Sequence, residues 1–288
     1  MDAALSQRIV TLLGTCSIEL SPRDAFAGEA LRGLFAPGTT VFVNFPPSVG
    51  YHDVIAAGVR LRRAGFEPVP HVVARRLESY ADAGDFLRRL ADEADVSRVL
   101  LLGGDTPRPA GAFDSALSLL STGVVERCGI GAVAFAGYPE GHPPIAAGEL
   151  QAALTVKLEV ARRRGLAVSL VTQFGFEALP ILRWIAAQRA MGVTCPIRIG
   201  LAGPASVATL AKYAVRCGIG ASLRALTRGH AAIARILTES DPGALIEALV
   251  AGEDPEAPID ALHLFCFGGA TRTAAWRDGL LSRVSGRG

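Results

Sequence analysis

The sequence predicts an α/β fold, a (β/α)8 barrel forming one domain over residues 1–288, with extra helices ahead of the last strand. Three observations predict it. Eight short runs rich in Val, Ile and Leu recur along the chain, the number such a barrel needs. Amphipathic stretches with helical spacing lie between most of them, the alternation that covers a parallel sheet with helices. The runs are apolar throughout rather than alternating, as strands buried on both faces must be. A doubly wound sheet is the rival architecture. Against it, no GxGxxG follows the first strand, and there is no Walker motif. GIGAS at 218–222 lacks the third glycine and follows no good strand.

CSIEL (16–20) is the first strand and TVFVNF (40–45) the second. VIAAGVRLRRAGF (54–66) has the pattern of the helix that leads to the third strand, PVPHVV (68–73). ESYADAGDFLRRLADEA (78–94) is a helix before strand four, RVLLLGG (98–104). Strand five is GAVAFAG (131–137). In ELQAALTVKLEVARRRG (149–165), Leu150, Ala153, Leu154, Leu158 and Ala161 recur at helical spacing and a glycine stops the helix. AVSLVTQF (167–174) and PIRIGLAG (196–203) are strands six and seven. Residues 219–258 break the rhythm with SLRALTRGHAAIARIL and PGALIEALV, an insertion ahead of the eighth strand, ALHLFCF (261–267), and not a second domain.

Half the residues are apolar, enough for a sizeable core. With 29 basic against 27 acidic residues, a net of +2, charge supplies no case for binding nucleic acid. Five cysteines, odd in number and without a CxxC pair, indicate neither a zinc site nor a disulfide framework. Reduced thiols in a cytoplasmic protein are the simplest expectation. The N-terminus lacks the basic and long apolar regions of a signal peptide, and no uncharged apolar run reaches membrane-spanning length.

In a barrel, chemistry sits at the carboxyl ends of the strands and in the loops after them. Those positions hold Glu19; Asn44, followed by FPPSVGYHD; His71; Asp105, after Gly103 and Gly104; Tyr138, Glu140 and His142; Thr172 and Gln173; and His263, leading into FGGATR. Each has a bland reading. Glu19 can be a strand-end acid, Asp105 an Asx turn, His71 and His263 core histidines, Tyr138 an aromatic plug with a wet hydroxyl. Their recurrence at one end of otherwise apolar strands favours a shared site. Glycines beside a carboxylate suit a flat or phosphorylated ligand that the backbone approaches closely, and the few Lys or Arg at strand ends argue against a bare polyphosphate. No HExxH, GxSxG or cysteine nucleophile elbow is present, so a cofactor that carries its own chemistry fits better.

The ordered set SIEL, PHVV, GGDTP, GYPEGHP, VTQF, PIRIGLAGP and LAKYAVRCG, over roughly residues 15 to 270, resembles the methylenetetrahydrofolate reductase family. FGGATRTAAW (267–276) has the form that closes the last strand in a divergent bacterial branch. The resemblance implies a barrel with non-covalent FAD, NADH or NADPH as hydride donor, and a folate substrate. It implies that Glu19 protonates the folate N10 and that Asp105 contacts flavin and folate; a partly desolvated Glu suits the first task. It further assigns Asn44, His71, Gly104, Tyr138, His142 and Lys157 to FAD, and Gln173, Leu226 and His263 to the substrate. The sequence departs from the family where Gly103 replaces the arginine of R-G-D, Asn44 a threonine, Glu159 the second basic residue of a lysine pair, and FCFGG the Y-T-L-N ending.

The expected activity is a ping-pong hydride transfer between NAD(P)H, FAD and the one-carbon unit of tetrahydrofolate, in either direction. A folate-dependent methyltransferase on the same barrel, and a non-catalytic folate- or flavin-binding barrel, are the alternatives. The resemblance admits a homo-oligomer.

Overall fold

In a computed structural model of the chain, residues 2–26, 28–217 and 241–286 are described. Eight parallel strands close into a barrel in chain order: β1 (Ser17–Leu20), β2 (Thr40–Val43), β3 (Glu67–Val73), β4 (Arg98–Leu102), β5 (Ala132–Gly137), β6 (Ala167–Thr172), β7 (Ile197–Ala202) and β8 (Ala261–Phe265). All eight expected strands are present, several shorter than their apolar runs. β2 stops before Asn44 because Pro46 and Pro47 bring no N–H to a ladder. β4 stops before Gly103 and Gly104, the latter at φ +105°.

Among the described residues the helices are α1 (Ala3–Gly14), ahead of β1, α2 (Pro22–Ala25), α3 (Gly28–Leu31), α4 (Tyr51–Arg63), α5 (Tyr80–Ala94), α6 (Ala116–Ser121), α7 (Val124–Arg127), α8 (Ala147–Arg163), α9 (Ala178–Ala190), α10 (Val207–Cys217), α11 (Gly243–Ala251) and, after β8, α12 (Ala270–Val284). Among the described residues, a 3-10 turn, Ala74–Arg76, follows β3. Of the stretch expected as an insertion, 219–258, residues 219–240 lie outside the described residues, as does all of GIGAS; α11 lies in the rest. No described helix is long and apolar enough to cross a membrane.

The residues gather into two compact units. One comprises Glu19–Ala136 and Gln151–Leu170. Here β2 to β5 pair in parallel, with Phe42 beside Val69, His71 beside Leu100 and Leu101 beside Phe135. α4 buries Val54, Ile55 and Leu61, and α5 buries Phe86, Leu87 and Leu90. Each such side chain contributes about 1.5–3 kcal/mol of burial. Ser79 starts α5 by accepting from the Asp82 N–H at 3.1 Å, and Asp95, in the left-handed region at φ 48°, ends it.

The other unit comprises Met1–Ile18, Gly137–Leu150 and Val171–Gly288. β7 and β8 pair in parallel with Gly200 beside His263 and Ala202 beside Phe265. α1 packs on α11 and α12 and buries Ile9, Leu12 and Leu13. Arg8 fastens it further. Its guanidinium donates to Glu253 Oε2 at 2.9 Å and to the Ile259 carbonyl at 2.6 Å, while the Ile259 N–H donates to Glu253 Oε1 at 2.6 Å.

Candidate active site

β1 carries Glu19 one residue from its carboxyl end, and β3 carries His71 inside its apolar run. Parallel pairing brings them together: His71 Nε2 lies 3.2 Å from Glu19 Oε2, with the two side chains only 9% and 11% exposed. The ring nitrogen is not aligned for a hydrogen bond, so the two groups are close neighbours without one. Asn44, the first residue past β2, donates from Nδ2 to Glu19 Oε1 at 3.4 Å, and its backbone N–H donates to the Leu20 carbonyl at 3.0 Å. Phe42 covers the imidazole edge-on, 6.5 Å between ring centres. A carboxyl this far from water is tolerated because polar neighbours face it. Asn44 Oδ1 is buried and makes no hydrogen bond among the described residues, leaving one acceptor for a ligand.

In the same unit, Gly104 turns the chain after β4, and a Cβ there would stand 2.6 Å from Val73 Cγ1. Asp105 follows it, exposed, and its charge acts on the Arg76 guanidinium. Lys157, on α8, points its ammonium at the ring of buried Phe135, 5.2 Å from the centroid. Burial pushes that amine down to about 8.

In the other unit, the loop after β5 folds on itself. The Gly141 N–H donates to the Tyr138 carbonyl at 3.0 Å, the Ile145 N–H to the His142 carbonyl at 3.3 Å, and the Tyr138 and His142 rings meet edge-to-face at 5.2 Å. Burial lowers the His142 pKa, favouring the neutral imidazole, and its Nδ1 has no hydrogen-bond partner among the described residues. The Gln173 N–H donates to the Gly137 carbonyl at 2.8 Å. Its neighbourhood, with Glu140, Phe174 and Ile181, encloses a small hollow. His263 is fully buried in the barrel wall, with Ser17 Oγ 2.9 Å from its Nδ1 and Phe265 edge-on at 4.7 Å. Leu226 lies outside the described residues.

An aromatic cluster that the strand-end positions do not reveal stands beside Gln173. Tyr213 stacks on Phe267 at 4.1 Å and 15°, Phe267 stacks near-parallel to Phe265 at 5.5 Å, and Phe174 meets both edge-on. Alternation along HLFCF, which puts His263 and Phe265 on one face of β8, is the sequence signal that leads to it.

No family model matches the sequence. The structure is similar to the crystal structure of a conserved protein from a locus in Enterococcus faecalis with an unknown function, with a TM-score of 0.51 and 10% identity. The match covers 95% of this chain but 66% of the other, so the chain spans just under two thirds of that protein's length. At that identity the likeness shows the fold alone, and a barrel hosts many chemistries.

Proposed function

We propose that the chain is a flavin-dependent 5,10-methylenetetrahydrofolate reductase. It would move a hydride between NAD(P)H, FAD and the one-carbon unit of tetrahydrofolate, running in either direction. The observation that carries this is the shielded Glu19 carboxyl with an imidazole and an amide on it. A carboxyl kept from bulk water exchanges its proton with a bound substrate instead, which is what ring opening at the folate N10 requires. His71 Nε2 stands 3.2 Å from the carboxylate that transfer leaves on Glu19. Asn44 fixes the orientation of the carboxyl.

Features in the loop after β5 would suit FAD. His142 Nδ1 is a buried polar atom still open to a partner, the Tyr138 ring offers an adjacent flat face, and the paired loop ends limit the ordering entropy of binding. When bound, the flavin supplies the two-electron chemistry that none of these side chains has. Tyr138 and His142 would hold it. Gln173 and the Phe265–Phe267 stack supply an amide and aromatic faces suited to a pterin or nicotinamide ring.

The test is the visible spectrum of the purified protein, incubated with FAD and desalted. A flavin band should be present, bleach with NADH under nitrogen, and return when methylenetetrahydrofolate is added. Glu19→Gln should bleach normally and reoxidise about 10²–10⁴-fold more slowly. A protein that stays colourless, or a Glu19→Gln variant reoxidised at the parental rate, would overturn the assignment.

A further inference from the structure

We propose that Arg75 and Arg76 are positioning residues of this site, Arg76 holding the loop after β2 and Arg75 the loop after β4. The proposal rests on the function proposed above for what the loops do, and on geometry alone for how they are held.

β3 pairs with β2 on one side and β4 on the other. The 3-10 turn at its end therefore lies between the two loops and sends one arginine into each. Both loops have the same deficit. FPPSVG (45–50) and TPRPAG (106–111) each contain two prolines, which keep their carbonyls but bring no N–H. Each segment therefore has fewer N–H donors than carbonyls; within 45–50 the Val49 N–H donates to the Pro46 carbonyl at 3.0 Å, and the Phe45, Pro47 and Val49 carbonyls look outside it. A guanidinium offers five N–H donors in one plane and no acceptor, so it suits several converging carbonyls.

Arg76 Nη1 donates to the Phe45 carbonyl at 2.9 Å and the Pro46 carbonyl at 2.7 Å. Its Nη2 donates to the Pro47 carbonyl at 3.4 Å and the Val49 carbonyl at 2.6 Å. The guanidinium also lies over the Phe45 ring, 3.8 Å from the centroid. Arg75 Nη1 donates to the Thr106 carbonyl at 3.0 Å and Nε to the Asp114 carbonyl at 2.7 Å. Its backbone completes the tie, its N–H donating to the Gly103 carbonyl at 3.0 Å and its carbonyl accepting from the Ala110 N–H at 2.8 Å.

The held segments begin directly after residues of the candidate site. Phe45 follows Asn44, whose amide is on Glu19, and Thr106 follows Asp105. The loop whose R-G-D arginine is replaced by Gly103 is thus fixed by an arginine from the neighbouring strand. Since these donors face backbone oxygens, both residues act through the loops rather than on a ligand.

The experiment uses Arg76→Met, Arg76→Lys, Arg75→Met and Arg75→Lys in the full chain, read by hydrogen exchange and by the two half-reactions. Arg76→Met should speed exchange in 44–50 without affecting 106–114. It should slow folate-dependent reoxidation at saturating folate by about 10–100-fold, the scale for displaced catalytic groups, and slow bleaching by NADH by less. Arg75→Met should speed exchange in 106–114 and lower flavin retention. The lysine variants should not rescue, because one ammonium cannot span the same carbonyls. Unchanged exchange in the targeted loop, equal loosening of both loops in every variant, or full rescue by lysine would overturn the proposal. If the parent protein binds no flavin and turns over no folate, the proposed function fails, and the exchange data alone decide whether each arginine holds its loop.

Discussion

Replacing Lys157 by methionine should stabilise the protein at neutral pH. Burial lowers this amine from 10.5 to about 8, a drop of about 2.5 pH units. At about 1.36 kcal/mol per unit, the folded state loses up to about 3 kcal/mol by holding the ammonium where it does. The Phe135 ring returns about 0.5–1 kcal/mol of that as a cation–π contact. Methionine has similar length and flexibility and no charge, so the net gain at neutrality is about 2–3 kcal/mol. Its pH dependence identifies the cause. The amine is less basic folded than unfolded, so the penalty is complete below the folded value of about 8, shrinks as pH rises, and vanishes above 10.5. Urea unfolding of parent and variant near neutrality and at higher pH should show a gain that fades over that window; other titrating groups cancel in the difference. No gain at neutrality, or one that persists unchanged above 10.5, would refute the reasoning. The same variant addresses the FAD contact that the resemblance implies for Lys157. An ammonium directed at Phe135 predicts unchanged flavin retention.

Two further outcomes are expected. Burial pushes the Glu253 carboxyl up, but the Arg8 hydrogen bond, the Ile259 N–H and the Arg8 charge outweigh it and hold the group below its ordinary 4.5. Glu253→Gln should therefore cost about 1–3 kcal/mol at neutrality, a difference that disappears as the pH falls through the folded-state value, measured by urea unfolding across the acid range. Gly200→Ala would set a Cβ against the Thr172 carbonyl oxygen and 2.8 Å from Phe265 Cε2, so it should cost at least about 1–3 kcal/mol, read as a lower melting temperature.

The barrel was legible because burial on both faces leaves the same mark on every strand. RVLLLGG and PIRIGLAG announce themselves without knowledge of their neighbours. α1 was less legible: its buried face is only Ile9, Leu12 and Leu13, three residues that read as a short apolar patch. The polar set at the strand ends could be collected by position, but its pairings could not. Glu19 meets His71 because β1 and β3 flank β2 with a particular stagger, and stagger leaves no trace in spacing along the chain. Ser17 is inconspicuous for the same reason. It looks like a small residue in an apolar run until β8 sets His263 against it.

Arg75 and Arg76 were hidden differently. Two adjacent arginines after a strand look like a solvated charge pair, the ordinary fate of such residues. What distinguishes them is a deficit elsewhere: four prolines in the loops of the two flanking strands, which leave those loops with more carbonyls than N–H groups. Once strand order is known, donor-poor loops on both sides of a donor-rich turn become a readable combination. It also gives these mostly exposed loops a fixed attachment. Proline restricts the backbone locally, and an external guanidinium fixes where the restricted backbone sits. Loops held by side-chain donors rather than by ladders can change sequence around their carbonyls while the donors stay. On that account, substitutions at exposed Ser48 should be tolerated where a change at either arginine is not.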